Sequence, residues 1–533
     1  MSSSFLPVSK ELSQDLKGIT MWIKELRCLL VLLALVRADP NYDTKHAVID
    51  GDLYIVAVFG LRLKGCTDIR TNSGYQYIDS VVLALKEINK QKDQFRDLGV
   101  KIGAIILDDC KDGSRGVQMV KDIYDGNWVI RDNTNAAINV SSIIGFVGSS
   151  NSDKTIQLAN YLKTKQAALV APFASSPQLS DRTRFPYFVR TIPSDDKQGH
   201  AISAMLIKVG WLNVQVVIEE GSTYASDLAQ KFKEAFVNED QMRCITATYH
   251  LQNNTLSAQE IIKAIISSTS KTDVVVVIGR QNYIKSLLQA KKNHPEAKRL
   301  VFVGSETWAH AEHIVEGVEE AAMGSVSIAI YGEDVQAFDK HLASLRYNTT
   351  QNPFFNMYFE DMFKCGEGEN KTSCDVTKNV TGLLHYSQDT YVIHVINAVY
   401  ALSRATAERL TEKCKQEGVT TVCDSFKEGN IGEDLTKKME EMSFMDINNR
   451  DFEMKDRESV DEYDFFYWQL DGTPMKIGKL TTSDVFYGAN AQNFPKGDFY
   501  DKQPESQCST SGSSAIYMTG VLFAMISTLW IIF

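Results

Sequence analysis

The chain has 533 residues, of which 44% are hydrophobic and 23% are charged, and its formal net charge at pH 7 is −11. This length and composition are typical of a globular protein with enough residues for two domains. The acidic balance and the lack of a long basic run argue against nucleic acid as a partner.

The first segment has the features of a secretory signal. Residues 21–38 combine a basic start, an apolar core and small residues before an expected cleavage after Ala38. The apolar core is about half of the ~20 residues that span a bilayer, which favours cleavage over a membrane anchor. Because residues 1–20 are polar, either Met21 is the true start or the signal at 1–38 begins with a long polar region.

Residues 52–330 alternate between strand-like and helix-like patterns. Strands are predicted at 52–60, 100–107, 142–147, 167–171, 214–218 and 274–278, and helices at 76–88, 153–163, 224–236, 258–267 and 283–292. A long helix is predicted at 386–402. The alternation predicts an α/β fold with parallel sheets and ligand sites at the carboxyl ends of the strands.

Two of these predicted strands end in small hydroxyl residues. Ser149, Ser150 and Ser152 follow one strand, and Ser175 and Ser176 follow the next. Hydroxyls and backbone N–H groups at a strand end and a helix start are suited to bind a carboxylate. Such residues are equally typical of helix caps and loops, so both interpretations stay open at this point.

The last residues have the composition of a membrane signal. Residues 515–533 are apolar and uncharged, and small residues precede them. This is the pattern of a glycosylphosphatidylinositol-anchor signal, with attachment at Ser509, Ser511 or Gly512 in a linker at 493–514. The alternative is a transmembrane helix, which is disfavoured because it would have no cytoplasmic Lys or Arg to hold its orientation. We therefore expect a protein anchored at the extracellular face of the plasma membrane.

Cysteines and glycosylation sequons agree with a secreted protein. Setting Cys28 of the signal aside leaves eight of the nine cysteines, an even number that predicts disulfides in an oxidising compartment. Proximity favours two short loops, Cys365–Cys374 and Cys414–Cys423, and zinc is disfavoured because no C-x-x-C pair occurs. The sequons lie at Asn139, Asn253, Asn348, Asn370 and Asn379.

The segment 145–195 resembles a known receptor family. Its run S-S-P-x-L-S-D-x-T-x-x-x-Y-F-x-R-x-x-P-S-D is similar to the extracellular amino-acid-binding module of metabotropic glutamate receptors, which are class C G-protein-coupled receptors. The resemblance extends with gaps over about 51–470, and more loosely to type I periplasmic-binding-protein-like receptor domains. It implies a two-lobed Venus-flytrap clamshell, each lobe a parallel sheet flanked by helices, that closes on a free amino acid.

The resemblance also implies lobe boundaries, disulfides and an assembly. Lobe 1 is expected to comprise 48–193 and 331–457, and lobe 2 to comprise 194–330 and 458–492. The family supports both short disulfide loops and adds Cys66–Cys110. By elimination, Cys244, which the family links to a cysteine-rich module, is expected to pair with Cys508. The loop that carries an intersubunit disulfide in the family has no cysteine here, which leaves a non-covalent homodimer or a co-receptor pair.

The resemblance assigns roles to five residues that would hold the ligand's α-carboxylate and ammonium. Ser152 and Ser175 match the family positions for the carboxylate, and Asp195, Tyr224 and Glu306 match those for the ammonium. Glu306 stands where the family has an aspartate, so its side chain is one methylene longer. The alternatives are that Asp195 caps a helix and that Glu306 is solvated.

The implied side-chain pocket departs from the family. The glutamate receptors place a Tyr and an Arg four residues apart, and those positions are Ser73 and Tyr77 here. A Tyr does not replace the bidentate grip of Arg on a distal carboxylate. Lys427, in C-D-S-F-K, matches a motif whose Lys also reaches the distal group. We therefore expect an acidic or polar amino acid, with glutamate itself disfavoured, unless Tyr77 stacks against a larger ligand.

The favoured function is an extracellular amino-acid-binding protein that works by lobe closure. Without a seven-helix domain it is expected to act as a co-receptor, scavenger or decoy, unless the sequence is an incomplete receptor. A peptide ligand and a site that binds nothing are the alternatives. Catalysis is disfavoured because the motifs of serine hydrolases, zinc proteases and nucleotide-binding loops are missing, and no cofactor or metal is expected.

Overall fold

The computed structural model describes residues 46–487 except for 64, 67–71, 92–98, 238–242, 269–271, 349–351, 367–371, 384–385, 415–420, 461 and 481–484. These residues form two mostly parallel sheets flanked by helices, which confirms the predicted α/β fold. Each sheet with its helices is called a lobe below. The predicted signal, Asn370, Cys508, the linker and the apolar tail lie outside the described residues.

The first sheet forms lobe 1 and has the strand order β1-β3-β2-β4-β5-β6-β14-β13-β12. Its strands are β1 (Ala47–Ile49), β2 (Leu53–Phe59), β3 (Ile102–Asp108), β4 (Ile143–Gly148), β5 (Leu169–Ala171), β6 (Phe188–Arg190), β12 (Ser443–Met445), β13 (Asp451–Lys455) and β14 (Glu458–Ser459). Strands β2 to β6 are parallel neighbours and almost wholly buried, because helices cover both faces of the sheet.

The second sheet forms lobe 2 and has the strand order β17-β16-β15-β11-β10-β9-β7-β8. Its strands are β7 (Asn213–Glu219), β8 (Cys244–Leu251), β9 (Val274–Ile278), β10 (Val301–Gly304), β11 (Val326–Ile330), β15 (Tyr463–Trp468), β16 (Pro474–Leu480) and β17 (Val485–Tyr487). Its centre is built from β-branched runs, such as the Val-Val-Val-Val-Ile of β9, that are buried on both faces.

The helices pack on both faces of each sheet. In lobe 1 they are α1 (Asn72–Ile88), α2 (Gly113–Tyr124), α3 (Ser152–Lys165), α10 (Gln336–Ser344), α11 (Pro353–Phe363), α12 (Val392–Lys413) and α13 (Ile431–Lys438), and in lobe 2 they are α4 (Asp195–Lys208), α5 (Thr223–Phe236), α6 (Thr255–Ser267), α7 (Gln281–Lys292), α8 (Glu312–Val315) and α9 (Glu319–Ala322). Helix α12 is buried along most of its length and forms the centre of the lobe 1 core.

The described chain passes between the two sheets at three places, after β6, β11 and β14. Two of these crossings are joined where Nη2 of Arg190 in β6 lies 2.7 Å from the carboxylate of Glu458 in β14. Because three segments must bend together, they are suited to act as a hinge between the lobes.

The disulfides and one helix boundary bear on the predictions. Cys66–Cys110, Cys365–Cys374 and Cys414–Cys423 are bonded as predicted. Cys244 is also disulfide-bonded, and its pairing with Cys508 stays a prediction. The helix predicted at 386–402 instead runs from Val392 to Lys413.

Two further observations concern the surface. None of the helices in the described part of the chain has the length and apolar composition needed to cross a lipid bilayer. Three sequon asparagines, Asn139, Asn253 and Asn348, are exposed, and Asn379 is half-buried.

Candidate ligand-binding site

The loop after β5 carries Ser175 and is held in place by a buried arginine. Arg190 donates from Nη1 to the carbonyl oxygens of Ala174 (3.2 Å) and Ser176 (2.9 Å), one on each side of Ser175. The N–H of Ser176 donates to Oγ of Ser152, the first residue of α3, at 3.2 Å. The structure therefore places the two predicted hydroxyl residues next to each other, at the carboxyl ends of β4 and β5.

Asp195 lies against Ser175, at the crossing into lobe 2. It is the first residue of α4, whose start is capped by Ser194, so the helix dipole favours its negative charge. Ser175 Oγ donates to Oδ2 of Asp195 at 3.0 Å, and Gln198 Nε2 donates to Oδ1 at 2.8 Å. Burial first, and the nearby Glu306 carboxylate second, raise the pKa of Asp195 well above its usual value.

Glu306 and Tyr224 meet Asp195 from lobe 2. Tyr224, in the first turn of α5, donates its hydroxyl to Oε2 of Glu306 at 2.5 Å. The N–H of Glu306 donates to Oε1 of Gln198 at 3.0 Å, so that Gln198 joins the two acidic residues. Glu306 is only 4% exposed, and this burial raises its pKa to about 7. The carboxylates are thus buried neighbours rather than solvated surface groups.

The two acids, Asp195 and Glu306, form no ion pair with a described residue. The side-chain donors to them are hydroxyl and amide groups, all of them neutral. The charge of Arg190 does act to lower the pKa of Asp195, but the Arg190 guanidinium is bonded to Glu458. Burying acidic groups without a cation is unfavourable, so the arrangement is suited to bind a positively charged group.

Contacts between the lobes enclose this region. The N–H of Thr223 in lobe 2 donates to Oδ1 of Asp153 in lobe 1 at 3.1 Å. Asp227 of lobe 2 accepts from Ser176 Oγ at 2.5 Å and from Gln178 Nε2 at 3.0 Å. Each bond joins the start of a lobe 2 helix to the lobe 1 segments that carry the predicted carboxylate site. They are bonds that an opened cleft cannot keep.

A second group of side chains, which is mainly aromatic, lies beside the acids in lobe 1. The hydroxyl of Tyr77 in α1 donates to Oδ1 of Asp389 at 2.9 Å. The ring of Tyr77 lies 4.5 Å from that of Phe173, which lies 5.3 Å from the ring of Tyr391. All four side chains are half-buried, so each keeps a part of its surface open.

Tyr391 connects the two groups. Its pKa is raised well above its usual value by burial first and then by the carboxylates of Glu306, Asp389 and Asp195. Tyr463 of β15 is fully buried, and its pKa is also raised by this burial first and then by Asp195, Glu306 and Tyr391. The phenol of Tyr391 therefore lies within electrostatic range of all three acids.

Sequence reasoning missed Phe173, Asp389 and Tyr391. Phe173 follows β5 two residues before Ser175, and the other two residues precede α12. One usable signal was an acidic residue and an aromatic residue placed together at the start of a long buried helix. Their relation to Tyr77 had no signal in the sequence, since more than 300 residues separate Tyr77 from Asp389.

The other two residues of the predicted side-chain pocket, Ser73 and Lys427, lie in different elements of lobe 1. Ser73 lies in α1 one turn before Tyr77, and only its backbone is described. Lys427 is exposed in the 3-10 helix Asp424–Lys427, whose Phe426 carbonyl accepts from Arg409 near the end of α12. The 22 residues of α12 extend about 33 Å, and Tyr391 precedes the opposite end. The structure therefore places Lys427 beside the end of α12 that is opposite to Tyr391, away from the two acids.

The comparison with known families agrees with this geometry. Residues 79–473 match the family model described as "Receptor family ligand binding region". The chain belongs to this family. The receptor ligand-binding region includes the extracellular Venus-flytrap modules of class C receptors, so the resemblance seen in the sequence is confirmed. Its members bind ligands rather than catalyse reactions, and the disulfides of the described residues agree with an extracellular location.

Proposed function

We propose that this receptor module binds a free amino acid between its lobes and closes upon it. The observation that carries the proposal is the pair of buried carboxylates, Asp195 and Glu306, with Tyr224 beside them and no protein cation bonded to them among the described residues. An ammonium group placed there would receive hydrogen bonds and charge compensation together.

The other end of the amino acid backbone is assigned to lobe 1. Ser152 and Ser175 supply hydroxyl groups, and the first turn of α3 supplies backbone N–H groups and the positive end of a helix dipole. Ser175 also donates to Asp195 at 3.0 Å. Because one residue touches both subsites, a ligand with adjacent carboxylate and ammonium groups fits the arrangement.

Closure follows from the distribution of these groups over two lobes. The carboxylate subsite belongs to lobe 1, whereas Tyr224 and Glu306 belong to lobe 2. A ligand favours closure only through contacts that the open form lacks, and the ammonium contacts are of that kind. The bonds of Thr223 to Asp153 and of Ser176 to Asp227 close over the same region, which favours a small ligand over a peptide.

The test is a thermal-shift screen of the full-length protein in detergent against the common amino acids at millimolar concentration. A ligand that binds only the folded form raises the melting temperature. We expect a selective increase for at least one amino acid. A folded sample that responds to none of them would contradict the proposal.

We further propose that residues 515–533 are a signal that is exchanged for a glycosylphosphatidylinositol anchor, and that this lipid holds the module at the outer face of the plasma membrane. Treatment of expressing cells with a phosphatidylinositol-specific phospholipase should release the protein into the medium. Retention on the cells would favour the transmembrane alternative. An anchored module of this kind is suited to be a co-receptor or a scavenger of the amino acid.

A further inference from the structure

Asp389 presents a carboxylate oxygen beside the proposed amino acid site. Its Oδ1 accepts two hydrogen bonds, from the Tyr77 hydroxyl at 2.9 Å and from the Tyr391 N–H at 3.0 Å. Its Oδ2 accepts no hydrogen bond from a described residue, and the side chain is half-buried. The backbone N–H of Asp389 donates to Oε1 of Gln76 at 2.8 Å, so its position is fixed from both sides.

A group of three aromatic rings adjoins this carboxylate through Tyr77. The ring centroid of Phe173 lies 4.5 Å from that of Tyr77 and 5.3 Å from that of Tyr391, so the three rings form a continuous group. The ring of Phe59 packs against this group, 5.9 Å from Phe173. Phe59 is fully buried, whereas the other three rings are half-buried. Partly accessible aromatic rings next to a carboxylate are a combination that binds a cation, through cation–π attraction and an ion pair.

The acidic groups near Tyr391 also favour a cationic ligand. Three carboxylates, those of Asp195, Glu306 and Asp389, raise the pKa of Tyr391 through their charge. Arg190, the cation that acts on Asp195, is bonded to Glu458, and Lys427 lies at the far end of α12. An amino acid with an acidic side chain would add a fourth negative group here, whereas one with a basic side chain would bring a second positive charge.

Resting on the function proposed above, we propose that this site selects amino acids with a cationic side chain, whose charged end binds Asp389 among the rings of Tyr77, Phe173 and Tyr391. This reverses the acidic preference that the sequence suggested through Lys427. The amino acid backbone then lies at Ser175, Asp195 and Glu306, and the side chain extends into lobe 1.

The first test compares pairs of ligands of similar shape and different side-chain charge on the unmodified full-length protein. L-arginine and L-citrulline differ in the charge of the side-chain end, as do L-lysine and L-norleucine. By isothermal titration calorimetry we expect the charged member of at least one pair to bind 10-fold or more tightly, roughly the effect of a charged hydrogen bond. L-glutamate should bind more weakly than any neutral ligand.

The second test removes the charge of Asp389 and keeps its acceptor. Asp389→Asn should weaken the binding of the cationic ligand about 10-fold and leave its neutral counterpart within about 2-fold of the unmodified protein. Asp375→Asn is the matched control, because Asp375 is an exposed turn residue of lobe 1 whose carboxylate accepts hydrogen bonds from Thr377. If Asp389→Asn does not fold, the comparison of paired ligands still decides the matter.

The outcomes separate this inference from the function on which it rests. Neutral or acidic amino acids that bind as tightly as the cationic ones would overturn the side-chain selection and leave amino acid binding intact. Failure of every amino acid to bind the folded protein would overturn both. Selection for the cation that Asp389→Asn abolishes would support both.

Discussion

The two ends of the proposed site differ in how the chain builds them. At the backbone end, Ser152, Ser175 and Asp195 come from strand ends and helix starts that lie within 43 positions of one another, and Tyr224 and Glu306 join them from lobe 2. The side-chain end joins Tyr77 of α1 to Asp389 before α12, across 312 residues. In the proposed site, the groups that every amino acid shares would be recognised mainly by local motifs, whereas selectivity would depend on packing between distant segments.

The largest loss of ligand affinity is expected when the charge at the backbone end is removed. Asp195→Asn should weaken the binding of any amino acid at least about 30-fold, because truncating one partner of a buried charge pair costs about 2–5 kcal/mol. Isothermal titration calorimetry measures the loss. Circular dichroism should show a folded variant, since Asn keeps acceptance from Ser175 or Gln198. Unchanged affinity would place the ammonium elsewhere.

Neutralising Glu306 is expected to have the next largest effect on ligand binding, and it should stabilise the ligand-free protein. Glu306→Gln should weaken binding about 10- to 100-fold through loss of the charged acceptor. The pKa of Glu306 is raised from 4.5 to about 7 in the folded protein, so the stability from its neutral form is full below pH 4.5 and is lost as the pH rises to about 7. The ligand-free variant should therefore be more stable than the unmodified protein at pH 8, by up to about 3 kcal/mol.

Chemical denaturation of both proteins at pH 4.5 and pH 8 measures this difference. It should be small at pH 4.5 and large at pH 8. An equal difference at both values would show that Glu306 is not held neutral by burial.

The affinity for the ligand should also depend on pH. An ammonium binds the ionised form of Glu306, so affinity should increase as the pH rises through about 7, by up to about 10-fold per unit below it. Titrations between pH 6 and pH 8 measure the slope, and Glu306→Gln should flatten it. A slope that persists in the variant would assign the proton to another group.

Much of the fold could be predicted because its signals are local. Buried β-branched runs such as Val274–Ile278 and apolar helix faces such as that of α5 need no distant partner to be recognised. The start of α12 could not be predicted, because Asp389 holds the preceding residues in a turn through contacts with Gln76 and Tyr77. Lys427 matched a motif locally, but the length of α12 and the Cys414–Cys423 disulfide determine its position.

A hydroxyl at the carboxylate subsite should matter less than the acids. Ser175→Ala removes one donor and should weaken binding about 10-fold, near the value of a single hydrogen bond to a charged group. Calorimetry with the same ligand tests this. A loss as large as that of Asp195→Asn would indicate that Ser175 chiefly positions Asp195, to which it donates at 3.0 Å.

The smallest effect is expected at Lys427. Lys427→Gln should leave affinity for every amino acid within about 2-fold, because this exposed residue lies beyond the far end of α12. A selective loss of acidic ligands would show that the lysine reaches the site and that the description of the side-chain end is wrong.

The most direct measurement is a crystal structure of the protein with the amino acid that gives the largest thermal shift. The account predicts a closed module in which the ligand ammonium lies about 3 Å from the carboxylates of Asp195 and Glu306 and from the hydroxyl of Tyr224. The ligand carboxylate should contact Ser152 and Ser175. A ligand bound outside this cleft, or one whose ammonium contacts neither acid, would contradict the central claim.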